Sequence, residues 1–298
     1  MVNRAKGIKE NLWAYGFLSP WFVGFLVFTG GPIIASFVLS LTRWNLLGTP
    51  EFVGLQNYVS MFSIGSGFVN SLRATLIYTV ISVAVAIFSS LFMAVLLNFN
   101  VKFLGIFRFC FFVPAVMPSV AMAFAFQLIF HQQMGILNYG LSQIGITAAP
   151  NWLNDTFWVW PSLGIVTIFT YSTGQMMLIF SAALKEVPEQ LYEACDMEGA
   201  NFFQRFIHVT IPCISPIILF NVVVGTVNSF NSAFSIIFPL TDGGPANETN
   251  VLSLELYNQA FRMFNMGYAS AVAVVLFLIV GAVAIVQFRI SKNVVNYD

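Results

Sequence analysis

The chain has 298 residues, 58% hydrophobic and 8% charged, with a formal net charge of zero. A mean hydropathy of +0.83 is far too high for a soluble domain of this size and marks a polytopic membrane protein. The balanced charge leaves no bulk electrostatic case for nucleic acid. The three cysteines, Cys110, Cys195 and Cys213, show no paired spacing, so no disulfide framework, metal site or cofactor is expected.

Six apolar segments are long enough to cross a bilayer: about 14–42, 72–97, 107–130, 157–184, 208–238 and 268–288. The expected fold class is all-α and polytopic, with six transmembrane helices. The first span follows a basic start, Arg4, Lys6 and Lys9, and is too long for a signal-peptide core, so it reads as a retained anchor. Gly30-Gly31-Pro32 interrupts it, and a kink or break is expected there. Pro114 and Pro118 should bend the third span, and Pro212 and Pro216 the opening of the fifth. No span holds an ionisable residue in its interior. Ion-driven carriers usually keep one there, so the energy for any transport should come from a partner. The chain also lacks a G-x-x-x-x-G-K-[ST] loop, so it should not bind ATP itself.

Six spans place both termini on one side. Assigning that side to the cytoplasm gives it Arg4, Lys6, Lys9, Lys102, Arg108, Lys185, Arg205, Arg289 and Lys292, against Arg43, Arg73 and Arg262 outside. The bias follows the positive-inside rule and puts the 185–207 loop in the cytoplasm.

Neutral polar residues gather in two spans. Asn221, Gly225, Asn228, Ser232 and Ser235 recur at helical spacing in the fifth, bordered by Ser229 and Asn231, and Tyr171 and Gln175 sit one turn apart in the fourth. Amides, hydroxyls and an aromatic ring suit a neutral sugar. Helix–helix packing selects the same residue types, so both readings stay open on pattern alone.

The long polar interval Lys185 to Pro216 has its own pattern. Glu186, Glu189, Glu193 and Asp196 form an acidic face, and Val187, Leu191, Ala194 and Cys195 an apolar one. Pro188 suits a first helical turn and Gly199 a left-handed stop. Asn201 with Gln204 predicts a capping box opening a second helix. Glu193, Ala194, Cys195, Gly199, Ile211 and Pro212 resemble the EAA loop of ATP-binding-cassette importer permeases, with Cys195 in place of the usual second alanine.

The outer loops extend the resemblance. Phe52 to Tyr58, Gly135 to Asn138 and Leu240 to Pro245 look like the loop motifs of sugar permeases of the maltose and glycerol-phosphate type, and Gly267 to Ala271 fits the start of their last span. The likeness implies a type I importer permease fold in a bacterial or archaeal cell (inner) membrane. Residues 1–13 would be a cytoplasmic segment, 14–71 the first helix and outer loop, 72–288 the permease domain with its coupling loop at 185–212, and 289–298 a cytoplasmic tail. It implies as partners a second permease subunit, two cytoplasmic ATP-binding subunits, an extracytoplasmic solute-binding protein and a sugar, with lipid around the spans. The ATPase activity would lie in the partner subunits. By the same likeness Tyr171, Gln175, Asn228, Ser229 and Ser232 are candidate substrate contacts. Glu189, Glu193, Ala194, Cys195 and Gly199 are candidates for coupling to the ATPase. The rival reading is half of an ion-coupled secondary transporter.

Overall fold

The structure, a computed structural model, describes the backbone of residues 4–63, 65–99, 104–146 and 149–294, and their side chains except at 4–14, 104, 171–172 and 291–294. Helices dominate, as they must where hydrocarbon offers backbone groups no other partner.

Helix α1 (Arg4–Phe25) runs through a π-helical turn, Leu26–Gly30, into α2 (Gly31–Leu39). The break expected at Gly30-Gly31-Pro32 is absent, and Tyr15–Leu39 is one apolar helix of 25 residues. Pro32 has no N–H to offer. The wider turn before it, closed by the Gly31 N–H on the Leu26 carbonyl, absorbs the missing bond. Strands β1 (Thr42–Arg43) and β2 (Glu51–Phe52) pair antiparallel, and α3 (Gln56–Met61) follows. Helix α4 (Phe68–Leu96) is unbroken.

Helices α5 (Leu104–Val116) and α6 (Ser119–Ile129) meet at 100°. Pro114 lies inside α5 and the corner falls at Met117-Pro118, so Pro118 makes the bend. After α7 (Ile136–Gln143) the 157–184 segment, expected as one helix, divides into α8 (Val159–Ile168) and α9 (Tyr171–Glu186), bent by 54° at an extended Thr170. Next come α10 (Glu189–Met197), α11 (Phe202–Arg205), a π turn at Phe206–Thr210 and α12 (Ile211–Cys213). Helix α13 (Ser215–Leu240) leads to α14 (Leu252–Tyr257), a third π turn at Asn258–Arg262 and α15 (Met266–Val294). Among the described residues four helices are long and apolar enough to cross a membrane, or up to six if each bent pair is one span.

The chain forms two compact units, residues 1–64 with 256–275 and residues 65–255 with 276–298. In the second, α4 packs against α8, α9 and α13, while α13 also packs on α6 and α5 on α9. The packed stripe of α4 is small or hydroxylated: Ser71, Thr75, Ser82, Ala86, Ser90 and Ala94 are buried, whereas Val80, Phe88 and Phe92 are exposed. Lipid is as apolar as a protein interior, so small residues that let backbones approach decide which face packs. Thr75, Ser82 and Ser90 donate their hydroxyls to carbonyls of their own helix, Thr75 Oγ1 to Ser71 at 2.6 Å, whereas the buried Ser71 Oγ has no partner among the described residues.

Each of the three loop motifs proves to be a lock. Asn57 Nδ2 donates to the carbonyls of Ser40 and Thr42, both at 2.8 Å, and Tyr58 OH donates to Ser40 Oγ. Buried Asn138 donates to the carbonyls of Gln132 (2.9 Å) and Pro150 (3.2 Å) and accepts from Trp152 Nε1 (2.7 Å). A Cβ on Gly135 would run into the carbonyls of His131 and Ile129, which explains the glycine three residues before Asn138. In the third motif Thr241 Oγ1 meets Thr249 Oγ1 at 2.9 Å, and Thr249 Oγ1 bonds the Gly244 carbonyl. The segment read as an outer loop after Leu240 is largely buried. Val251, Leu252 and Leu254 are fully buried, and the Leu252 N–H donates to Thr75 Oγ1 at 2.8 Å. Glu255 is buried there too and accepts from Asn250 Nδ2.

Candidate functional site

The interval between α9 and α13 folds into an elbow. Val187 and Pro188 are extended, and Pro188 caps α10 from outside where a first-turn position was expected. Glu189 then occupies the first turn, where the helix dipole favours a carboxylate. Gly199 ends α10 at φ 73°, with the Ala200 N–H donating to the Cys195 carbonyl at 3.0 Å. The capping box is present: Asn201 Oδ1 accepts from the Gln204 N–H at 2.9 Å, and Gln204 Oε1 accepts from the Asn201 N–H at 2.8 Å. The π turn at Phe206–Thr210 again precedes a proline by one residue, Pro212, as at Pro32.

The apolar residues of α10 divide between two surroundings. Leu191 and Ala194 are exposed, whereas Tyr192 and Cys195 are partly buried. Tyr192, polar at one end only, makes the contact with the bundle. Its ring packs on the buried cluster and its hydroxyl meets Thr210 Oγ1 at 2.9 Å. Leu191, Ala194 and Met197 are left bare beside the exposed Glu189 and Glu193. Asp196 pairs with Arg205 and clasps α10 to α11. Val187 and Ile214, at the two ends of the elbow, are buried in one cluster with Ala86, Leu97, Phe180 and Leu184. The elbow is therefore continuous with the packed ends of α4 and α9. Displacing it must displace them, because close-packed interiors transmit strain.

The substrate candidates are placed less uniformly. Gln175 and Asn228 are half-buried, Ser229 is buried and Ser232 half-buried. Tyr171 opens α9, and its side chain lies outside the described residues. The structure brings Ser229 and Ser232 together with Tyr78, Ser82 and Thr167 around a void of about 20 Å³. Ser232 Oγ itself leans on the Ser229 carbonyl at 3.5 Å and Thr167 Oγ1 donates to the Leu163 carbonyl at 3.0 Å. Such a void has room for a water but not for a sugar ring. Neither Gln175 nor Asn228 lines it. The sequence reading did not single out Tyr78 and Ser82, although Ser71, Thr75, Tyr78 and Ser82 recur at helical spacing and were a signal that could have found them.

Asn221, on the same face of α13, is completely buried, and among the described residues neither side-chain amide atom has a hydrogen-bond partner. An orphaned buried polar group costs about 1–3 kcal/mol. Asn221→Leu should therefore stabilise the purified chain by about 1–2 kcal/mol, seen as a higher denaturation midpoint in detergent. A lower midpoint would mean that the amide is satisfied within the chain or that the bulkier Leu does not fit.

Residues 86–295 match the family described as binding-protein-dependent transport system inner membrane component. The chain is 37% identical over 293 residues to the probable ABC transporter permease protein YesP of Bacillus subtilis (strain 168), covering 97% of this chain and 94% of that protein. It is 35% identical to the lactose transport system permease protein LacF of Rhizobium radiobacter, over 93% of each. Among solved structures it resembles a bacterial ABC transporter involved in the import of the acidic polysaccharide alginate. The TM-score is 0.83 at 21% identity, over 99% of this chain and 100% of that one. At that identity the likeness concerns the fold alone.

Proposed function

This chain belongs to the family of binding-protein-dependent transport system inner membrane components, and on that premise we propose that it is one of two permease subunits lining the pathway of an ATP-driven sugar importer. It is embedded in the membrane and works with a solute-binding protein, as the family description says. The lactose permease LacF supports a sugar, and an oligosaccharide in particular, as substrate. These relatives are permeases of ABC transporters rather than ion-coupled carriers.

The observation that carries the mechanism is the elbow. Its outer surface is bare, with Leu191, Ala194 and Met197 beside Glu189 and Glu193. Its roots, Val187 and Ile214, are locked into the α4/α9 core. A cytoplasmic ATPase docked on the bare face would push on those roots whenever its own dimer closes. α11 and α12 lead straight into α13, which carries Ser229 and Ser232. Nucleotide-driven movement thereby reaches the proposed substrate residues Tyr171, Gln175, Asn228, Ser229 and Ser232, and a second, similar permease subunit completes the site. The charge bias supports cytoplasmic termini and an inward elbow. In this cycle ATP hydrolysis belongs to the two partner ATPases, and their differential affinity for the two states of the permease pair drives the change.

Glu193→Lys tests the docking face. Residue 193 is exposed, so the substitution should leave membrane insertion intact. Reversing one interface charge should reduce co-purification of the ATPase about tenfold or more. Wild-type recovery of the ATPase, together with wild-type sugar uptake, would remove Glu193 from the interface.

A further inference from the structure

A cleft in the second unit lies away from both sites above. The C-terminal ends of α6 and α13 and the 151–154 segment enclose a cleft of about 520 Å³. Gln127, Gln132, Asn151 and Asn154 offer amides to it, and Phe130 and Phe238 offer rings. That volume falls within the range of roughly 300–1,000 Å³ usual for small-ligand sites. The void among the spans, at about 20 Å³, does not.

The cleft is also preorganised. Asn138 ties the Gln132 carbonyl to the Pro150 carbonyl, so one buried side chain holds both the α6 exit and the 151–154 segment in place. Asn138 accepts from Trp152 Nε1, and Trp152 packs on Phe130, ring centroids 5.9 Å apart. Fixed walls lower the ordering cost of binding. Gln127 and Gln132 are exposed, and among the described residues their side chains have no hydrogen-bond partner. Amides over aromatic faces are what hydroxyl-rich, uncharged rings require.

Charge narrows the ligand further. Among the described residues no Lys or Arg lines the cleft, so an acidic sugar would find no cation there to offset its desolvation. We propose that this cleft is a receiving site for neutral oligosaccharide on the outer face of the permease, occupied before sugar enters the spans. The assignment rests on the sugar-import reading and on the charge-bias orientation, which puts the C-terminal ends of α6 and α13 outside.

The test uses the whole transporter, with ATPases and binding protein, in proteoliposomes. Short gluco-, galacto-, xylo- and arabino-oligosaccharides are the transported probes, and oligogalacturonate is the acidic competitor. Gln132→Ala/Asn154→Ala should raise the half-saturating concentration of the imported neutral sugar about tenfold, since each lost hydrogen bond weakens binding a few-fold. ATP turnover stimulated by the binding protein should stay at the wild-type level, and oligogalacturonate should not compete. Both substituted side chains are exposed, and Gln132→Ala alone serves as a milder variant if the pair inserts poorly. Unchanged half-saturation in both variants overturns the site, as does effective competition by oligogalacturonate. Lost stimulation by the binding protein makes the cleft a protein-docking surface instead. If the wild-type transporter imports none of the probes, the sugar reading itself fails, a result visible before any substitution is made.

Discussion

Gly199→Pro should reduce sugar uptake to background while the protein still reaches the membrane. Gly199 has φ 73°, and a proline ring holds φ near −65°. The substituted chain cannot make the left-handed stop that turns α10 back towards Asn201. Either α10 unwinds at its C-terminal end or the Asn201 box is displaced, and the Asp196–Arg205 clasp depends on both. The spans contain nothing that senses this change. α4, α9 and α13 keep their own packing, so insertion and stability of the bundle should be close to wild type. What is lost is the fixed angle between the docking face and the roots of the elbow. The measurements are uptake in vesicles, ATPase co-purification and ATP turnover of the assembled complex. Uptake within about twofold of wild type, well inside the effect of a single weak contact, would show that the elbow does not carry the coupling.

The second large effect is on stability. Asn138→Leu removes two donated hydrogen bonds and the acceptor of Trp152 Nε1. Leu keeps the branching and heavy-atom count of Asn but is bulkier, so crowding adds to the loss of hydrogen bonds. Groups left without partners cost about 1–3 kcal/mol each, and solvent reaches some of them at this edge, so about 2–4 kcal/mol is expected overall. The readout is the denaturation midpoint of the purified protein. Protease sensitivity should rise at 131–156, because Asn138 joins Gln132 to Pro150. The walls of the outer cleft loosen in the same variant, so its half-saturation for neutral sugar should rise as well. A midpoint equal to wild type would mean that the Trp152 and Phe130 rings hold the loop without Asn138.

Much of the elbow was legible from short sequence signals. Gly199, Asn201 and Gln204 act within a few residues of themselves, and a left-handed glycine or a capping box depends on local dihedral angles. Pro118 likewise bends the chain where it stands. Pro32 shows where that logic stops, since a π turn can absorb a missing N–H and leave the helix running. Which side of α10 packs was not legible, because spacing separates its acidic from its apolar residues without saying which side meets the bundle. Contact with the bundle selects the tyrosine, whose hydroxyl has Thr210 to reach.

Hydropathy by itself determined that the chain is a membrane protein with several apolar helices. That property is a sum over many residues and survives any arrangement of the helices. Tertiary structure alone decided that Ser71 to Ala94 form the packed side of α4, that the segment after Leu240 is interior, and that Tyr78 rather than Gln175 stands beside Ser232. In hydrocarbon both sides of a helix face surroundings of equal polarity. Hydrophobicity therefore carries no record of which side meets protein, and only the fit of neighbouring helices settles it.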